Sequence, residues 1–140
     1  MSTTRAYLDA CLDLAKAYAT LVRQLDGRLG GLHGLSFGDF ALLLRLSEAP
    51  GGRLRRVDLA GRLGLTPSAV TRSLIPLEKI GLVKRERDQR DARVGYASLT
   101  RAGARLLDEA TESAEAVSQE VMDLDPAQLQ ALLGACRTLG

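Results

Sequence analysis

A helix-compatible stretch carries Ser68, Thr71 and Arg72 on one side, and a polar loop shortly after it carries Arg90. Arginine can form two hydrogen bonds with a guanine edge, and the threonine methyl group can touch thymine. An isolated arginine at the tip of a loop suits a narrow minor groove. These residue types in this order therefore indicate contact with duplex DNA. An ordinary amphipathic surface helix is the simpler alternative.

The charge distribution along the 140 residues favours the same interpretation. Residues 51–105 hold 13 Lys/Arg against 5 Asp/Glu, whereas the two flanks together hold 6 against 12. A basic centre between acidic ends is typical of a phosphate-binding module carried on a separate packing region. Solvated charge that serves only solubility is the alternative.

Other kinds of site find little support. The single histidine, His33, cannot complete a zinc site with Cys11 and Cys136, which lie at opposite ends of the chain. The sequence has no glycine-rich phosphate loop and no GxSxG motif. We therefore expect no enzymatic activity, no metal and no cofactor. The start of the chain lacks an apolar signal region, and no apolar run approaches the roughly 18 residues of a membrane span, so we expect a cytoplasmic protein.

Two short helices and a basic hairpin must position these side chains. The spacing predicts a helix over 56–63 with Val57, Ala60 and Leu63 on one side, and then a tight turn. Thr66 before Pro67 is a strong start signal for a second helix, which runs to about residue 80. Its buried stripe is predicted to contain Val70, Leu74 and Leu77, and Gly81 is placed to end it.

The β-compatible runs 82–87 and 93–99 are joined by a polar loop, 88–92, and predict a hairpin. Asp91 and Arg93 can pair across the base of the loop, which leaves Arg90 for a minor groove. The predicted DNA contacts are Arg55, Arg56, Thr66, Ser68, Thr71, Arg72, Arg90 and Arg93.

The flanks predict long helices. A helix over about 5–29 carries residues at the spacing of a helix-helix seam, and the glycines that follow it suggest a connecting loop. Further helices are expected at 37–48 after Ser36, at about 101–122 after Thr100, and after Asp125-Pro126. The seam of the first helix contains Leu8, Cys11, Ala15, Tyr18, Val22, Leu25 and Leu29, and the last helix carries Leu129, Leu132, Leu133 and Cys136 on one face. The predicted fold is mainly α with a small β-hairpin, in the order α-α-α-α-β-β-α-α.

Residues 63–103 read LGLTPSAVTRSLIPLEKIGLVKRERDQRDARVGYASLTRAG. The stretches VTR, LEKIGLV, DxRDxR and SLTRAG, in this order and spacing, resemble the MarR family of bacterial regulators. The resemblance implies a winged helix-turn-helix homodimer that binds a palindromic operator. It places Ser68, Thr71 and Arg72 in the recognition helix and 88–93 in the wing. It also implies regulation of nearby genes, usually repression, that small aromatic acids or oxidants often relieve.

One unit over 1–140 is expected, with a winged helix-turn-helix region at 36–100 and a helical dimerisation region at 5–35 and 101–140. In this family a small aromatic or anionic effector would bind between the two regions. The candidate lining residues are Tyr7, Tyr18, His33, Phe37 and Phe40, although aromatic residues in such stripes more often belong to the core. Two alternatives are a redox-sensing repressor that uses Cys11 and a winged-helix protein-interaction module that does not bind DNA.

Overall fold

The computed structural model describes residues 2–140, which form a mainly helical fold with a small antiparallel sheet. This architecture confirms the predicted winged helix-turn-helix fold. The helices are α1 Thr3–His33, α2 Phe37–Glu48, α3 Arg56–Leu63, α4 Pro67–Lys79, α5 Arg101–Met122 and α6 Pro126–Leu139. The strands are β1 Arg53–Arg55, β2 Val83–Arg87 and β3 Gly95–Leu99, and a short 3₁₀ turn spans Pro50–Gly52.

Side-chain caps begin four of these helices at the predicted residues. The hydroxyl oxygens of Ser36, Thr66 and Thr100 each accept a hydrogen bond from the backbone N–H three residues later, at 3.0–3.1 Å. At the start of α6 the Asp125 carboxylate accepts from the Gln128 N–H at 2.8 Å, and the Gln128 side chain accepts from the Asp125 N–H at 3.1 Å. Each cap satisfies a donor that the helix itself leaves without a partner. The predicted starts of α2, α4, α5 and α6 are confirmed.

The predicted loop after residue 29 is wrong, because α1 continues through the glycines to His33. The helix ends at Gly34, whose φ of +70° is favoured by glycine and whose N–H donates to the Gly30 carbonyl at 3.0 Å. Each helical glycine costs about 1 kcal/mol relative to alanine. Burial of Leu25 and Leu29, on the part of α1 that packs against α5, outweighs this cost.

The structure contains a strand, β1, that was not predicted. The observed order is therefore α-α-β-α-α-β-β-α-α. The sheet order is β1-β3-β2, and both strand pairs are antiparallel. In β3, Tyr96 lies opposite Arg55 of β1 and opposite Glu86 of β2. The loop between β2 and β3 covers 88–94 and is longer than the predicted 88–92; we call 88–94 the wing loop. The sheet therefore joins the wing directly to the residues that precede α3.

The core lies between α2, α3, α4, α5 and the sheet. Val70, Leu74 and Leu77 of α4 are buried in it, as predicted. The predicted inner face of α3 is wrong at Val57, which is 60% exposed. Leu59 is fully buried in its place, next to Ala60. This rotation of α3 turns Val57 toward the start of α4 rather than into the core.

Much apolar surface of α1 and α6 remains uncovered by the chain itself. Within the predicted α1 seam only Leu25 and Leu29 are buried, and α6 has no buried residue. The exposed apolar residues on these helices include Tyr7, Leu8, Leu12, Leu14, Tyr18, Leu32, Leu129 and Leu139. None of the helices in residues 2–140 combines the length and hydropathy of a bilayer-spanning segment.

Candidate nucleic-acid interface

The first turn of α4 presents polar groups to solvent. Ser68 and Arg72 are exposed, while Val70 is fully buried on the opposite side of the helix. The Thr71 hydroxyl donates to the Pro67 carbonyl at 3.0 Å, so its proton is already used within the helix. A partner can still meet the Thr71 methyl group. The backbone N–H groups near Pro67 add the partial positive charge of a helix N-terminus.

The end of α4 is fixed by a compact C-terminal motif. Gly81, with φ +80°, donates its N–H to the Glu78 carbonyl at 3.1 Å, and the Leu82 N–H donates to the Leu77 carbonyl at 3.0 Å. These two bonds form a Schellman motif. Gly81 closes the helix as predicted, one residue after the cap. Pro76 lies within α4 and has no N–H to donate to the carbonyl four residues earlier.

Two carboxylates organise the wing loop. Asp88 Oδ1 accepts from the backbone N–H groups of Arg90 at 2.7 Å and Asp91 at 3.3 Å. Asp91 Oδ1 accepts from the backbone N–H and the Nε of Arg93, both at 3.0 Å. The predicted Asp91–Arg93 pair is therefore confirmed. Among residues 2–140 no carboxylate lies within 4.0 Å of the Arg90 guanidinium, which is exposed at the tip.

These hydrogen bonds favour the charged form of both carboxylates. The Arg90 N–H is the main cause that lowers the pKa of Asp88, with further contributions from the Asp91 N–H and Tyr96. The Arg93 side chain is the main cause that lowers the pKa of Asp91, followed by the Arg93 N–H. At neutral pH, the carboxylates of Asp88 and Asp91 therefore both act as hydrogen-bond acceptors in the wing loop.

A surface pocket of about 450 Å³ brings together five of the eight predicted DNA contacts, from three parts of the chain. They are Arg55, Arg56, Ser68, Thr71 and Arg93. Thr66 lies beside the pocket as the cap of α4, Arg72 lies farther along that helix, and Arg90 lies at the tip of the wing loop. Arg55, Arg56, the Ser68 hydroxyl and a helix N-terminus form an arrangement suited to phosphate oxygens. The Arg93 guanidinium is already paired with Asp91, and the Thr71 hydroxyl already donates to the Pro67 carbonyl.

Three other residues in this region, Arg53, Gly95 and Tyr96, were not predicted from the sequence. Arg53 places its guanidinium carbon 4.0 Å from the Tyr96 ring centroid, and its Nε lies 3.7 Å from a carboxylate oxygen of Glu86. Gly95 provides space, because a Cβ at that position would lie 2.6 Å from the Arg56 Nη2. These residues come together only through the pairing of β3 with β1 and β2. The register of that pairing cannot be read from the sequence of any one strand.

The five predicted effector residues do not meet within one chain. Tyr7 and Tyr18 are 73% and 65% exposed, and Tyr7 lies about 39 Å along α1 from His33, at 1.5 Å per residue. The His33 Nε2 is 2.8 Å from the Ser113 hydroxyl, and the Phe37 N–H donates to Asp26.

Phe40 lines an apolar groove of about 700 Å³ between α2, α5 and α6. None of the other four predicted effector residues lines it. Cys11 and Cys136 are exposed free thiols.

Comparisons with known proteins agree with this geometry. The family model described as MarR family matches residues 35–94. The chain is similar to Sco3205 of Streptomyces coelicolor, a MarR family transcriptional regulator solved in complex with DNA, at 29% identity and TM-score 0.87, covering 99% of this chain and 88% of that one. It is similar to the transcriptional regulator BldR of Sulfolobus solfataricus, at 32% identity and TM-score 0.87, covering 99% and 98%. No match is found among curated protein sequences.

Proposed function

Because this chain belongs to the MarR family, we propose that it is a homodimeric, sequence-specific DNA-binding regulator that represses nearby genes until a small ligand releases it. The observation that carries this proposal is the pocket that joins α4, the β1–α3 junction and the base of the wing loop. Each part supplies cations or donors that suit duplex DNA. In this arrangement α4 enters the major groove and the wing loop lies beside it, with Arg90 in the minor groove.

Dimerisation is supported by the uncovered apolar faces of α1 and α6. A second copy of the chain is the proposed occupant, because both faces lie outside the winged region and carry exposed residues such as Leu8 and Leu139. Two-fold pairing places two α4 helices on one side of the duplex. Half-sites of a palindrome would then be separated by about 34–36 Å.

Ligand control is supported by the groove beside Phe40. Its volume of about 700 Å³ lies within the usual range for small-molecule sites. Its lining is mostly apolar and includes Leu44, Met122 and Leu124, whereas its charged residues are Glu115 and Asp123. Of the two expected effector classes, this lining favours an apolar aromatic molecule over an anion. The groove lies between the winged region and α6, where an occupant could alter their relative placement.

Selection of DNA from a random pool by the purified protein tests the proposal. We expect an enriched palindrome, and binding of it that weakens as salt rises. Arg72→Ala should relax the sequence preference at a cost of about 1–3 kcal/mol. Arg90→Ala should weaken all sequences and reduce the salt slope by about 0.9. The control is Arg45→Ala, because Arg45 pairs with Glu48 on α2, outside the pocket.

Two results would favour the alternatives. No enriched sequence, or affinity that ignores salt, would contradict DNA recognition and favour a protein-interaction module. Release of DNA by peroxide that is abolished by Cys11→Ser, but not by Cys136→Ser, would favour redox control. The exposure of both thiols makes the second variant a matched control.

A further inference from the structure

The geometry assigns Tyr96 as a positioning residue that holds Arg55 in place for a DNA phosphate. This inference rests on the proposed function and extends it to a residue that lines no part of the pocket. Tyr96 stands at the middle of the sheet, opposite Arg55 on β1 and opposite Glu86 on β2. Side chains alternate across a strand, so Arg53 and Arg55 share the face on which Tyr96 lies.

The ring of Tyr96 separates the roles of the two β1 arginines. Arg53 stacks on the ring at 4.0 Å and extends to Glu86, so its charge is already paired. Arg55 lies 6.0 Å from the ring centroid, and no carboxylate of residues 2–140 comes within 4.0 Å of its guanidinium. Arg55 therefore stays available to a phosphate, while the Tyr96 ring restricts where its guanidinium can lie.

The hydroxyl of Tyr96 extends this support to the wing. It donates to Asp88 Oδ2 at 3.4 Å, and the other oxygen of that carboxylate accepts from two wing-loop N–H groups. The Tyr96 side chain is also the main cause that raises the pKa of Arg55 above its ordinary value. One residue thus connects the β1 arginine to the carboxylate that shapes the wing loop.

Holding a long side chain before binding reduces the entropy that binding would otherwise cost. The cost for one such side chain corresponds to about a 2- to 10-fold change in affinity. Tyr96→Phe keeps the ring but removes the hydroxyl that anchors it to Asp88, so Arg55 retains its charge while the ring that restricts it is held less firmly. We expect operator affinity to fall by about this factor, with the salt slope unchanged because no cation is removed.

A double-mutant cycle with Arg55→Gln tests whether Tyr96 acts through Arg55. Affinity for the selected operator is measured for the wild type, each single variant and the double variant. Tyr96→Phe should weaken binding in the presence of Arg55 and have less than about a twofold effect in the Arg55→Gln background. Arg53→Gln is the matched control, because its charge is paired with Glu86, and it should weaken binding less than Arg55→Gln.

A second measurement does not depend on DNA. Nitrogen relaxation at the Arg55 Nε of the free protein should show greater motion in Tyr96→Phe, while urea unfolding remains close to wild type. Equal losses of affinity in both backgrounds, or unchanged affinity and unchanged Arg55 motion, would overturn the inference. A wild-type protein that selects no DNA would instead contradict the proposed function, and the Arg55 relaxation result would still decide the role of Tyr96.

Discussion

Replacing Gly103 with alanine adds one carbon at the place where α5 begins against β2. Gly103 is buried, and its N–H donates to the Thr100 hydroxyl at 3.0 Å. An added Cβ would overlap the Leu82 carbonyl oxygen and lie 2.8 Å from Leu99 Cδ1. The same carbonyl accepts from the Thr100 N–H at 3.1 Å and from its hydroxyl at 3.0 Å. The backbone must move to admit the new atom, and these hydrogen bonds then lengthen.

The expected cost follows from three contributions. Overpacking costs about 1–3 kcal/mol, and weakening the two hydrogen bonds from Thr100 to the Leu82 carbonyl costs about 1 kcal/mol each. The higher helix propensity of alanine relative to glycine offsets about 1 kcal/mol of this cost. We therefore expect Gly103→Ala to lower the free energy of unfolding by about 2–4 kcal/mol. Urea unfolding measures this value, at one protomer concentration for all variants because the stability of the proposed dimer would depend on concentration.

Gly61→Ala is the matched control for this prediction. Gly61 lies in α3, and no heavy atom outside its own helix backbone and neighbours falls within 4 Å of an added Cβ. Alanine at this position should raise the free energy of unfolding by about 0.5–1 kcal/mol. The reasoning fails if Gly103→Ala is as stable as the wild type, or if the two substitutions have the same effect.

Three further predictions concern the interface. Thr66→Ala removes the cap of α4 and should cost about 1 kcal/mol in urea unfolding, whereas Thr66→Ser should restore it. Gly95→Ala should displace the flexible Arg56 guanidinium and weaken operator binding several-fold in a fluorescence anisotropy titration, with little change in stability; unchanged affinity would contradict the assigned role. The lowered pKa values of Asp88 and Asp91 stabilise the wing loop above their ordinary value near 3.8, and this stabilisation is lost as pH falls through the folded values. Amide hydrogen exchange in the wing loop should therefore stay slow at pH 5 and lose its protection only as the pH falls below the ordinary aspartate value of 3.8, after correction for the intrinsic rate.

The helix starts could be predicted from the sequence because their signals are local. Ser36, Thr66, Thr100 and Asp125 each act within three residues of their own position, so the capping interaction is visible in the sequence itself. The Asp91–Arg93 pair is local for the same reason. The hydrophobic stripe of α4 follows from helical periodicity over a single segment.

The features that were missed depend on contacts between distant segments. The end of α1 is decided by packing against α5, which outweighs the cost of its glycines. Strand β1 is only three residues long and exists because β3 pairs with it. The roles of Gly95 and Tyr96 depend on the same register. Val57 is exposed because Leu59, and not Val57, is the residue of α3 that packs into the core.

The Schellman motif after α4 also couples the position of α4 to that of α5. The Thr100 hydroxyl lies 2.6 Å from the Gly81 carbonyl oxygen and 3.0 Å from the Leu82 carbonyl oxygen. These hydrogen bonds hold the start of α5 against the end of α4. Helix α5 has 22 residues and is about 33 Å long, and its second half lines the groove, so under the proposed ligand control it would act as a lever. A tilt of about 5° along this length displaces one end by about 3 Å relative to the other. In the proposed dimer the winged unit would move with it, so a small shift at the groove would be enough to misalign the two proposed half-sites.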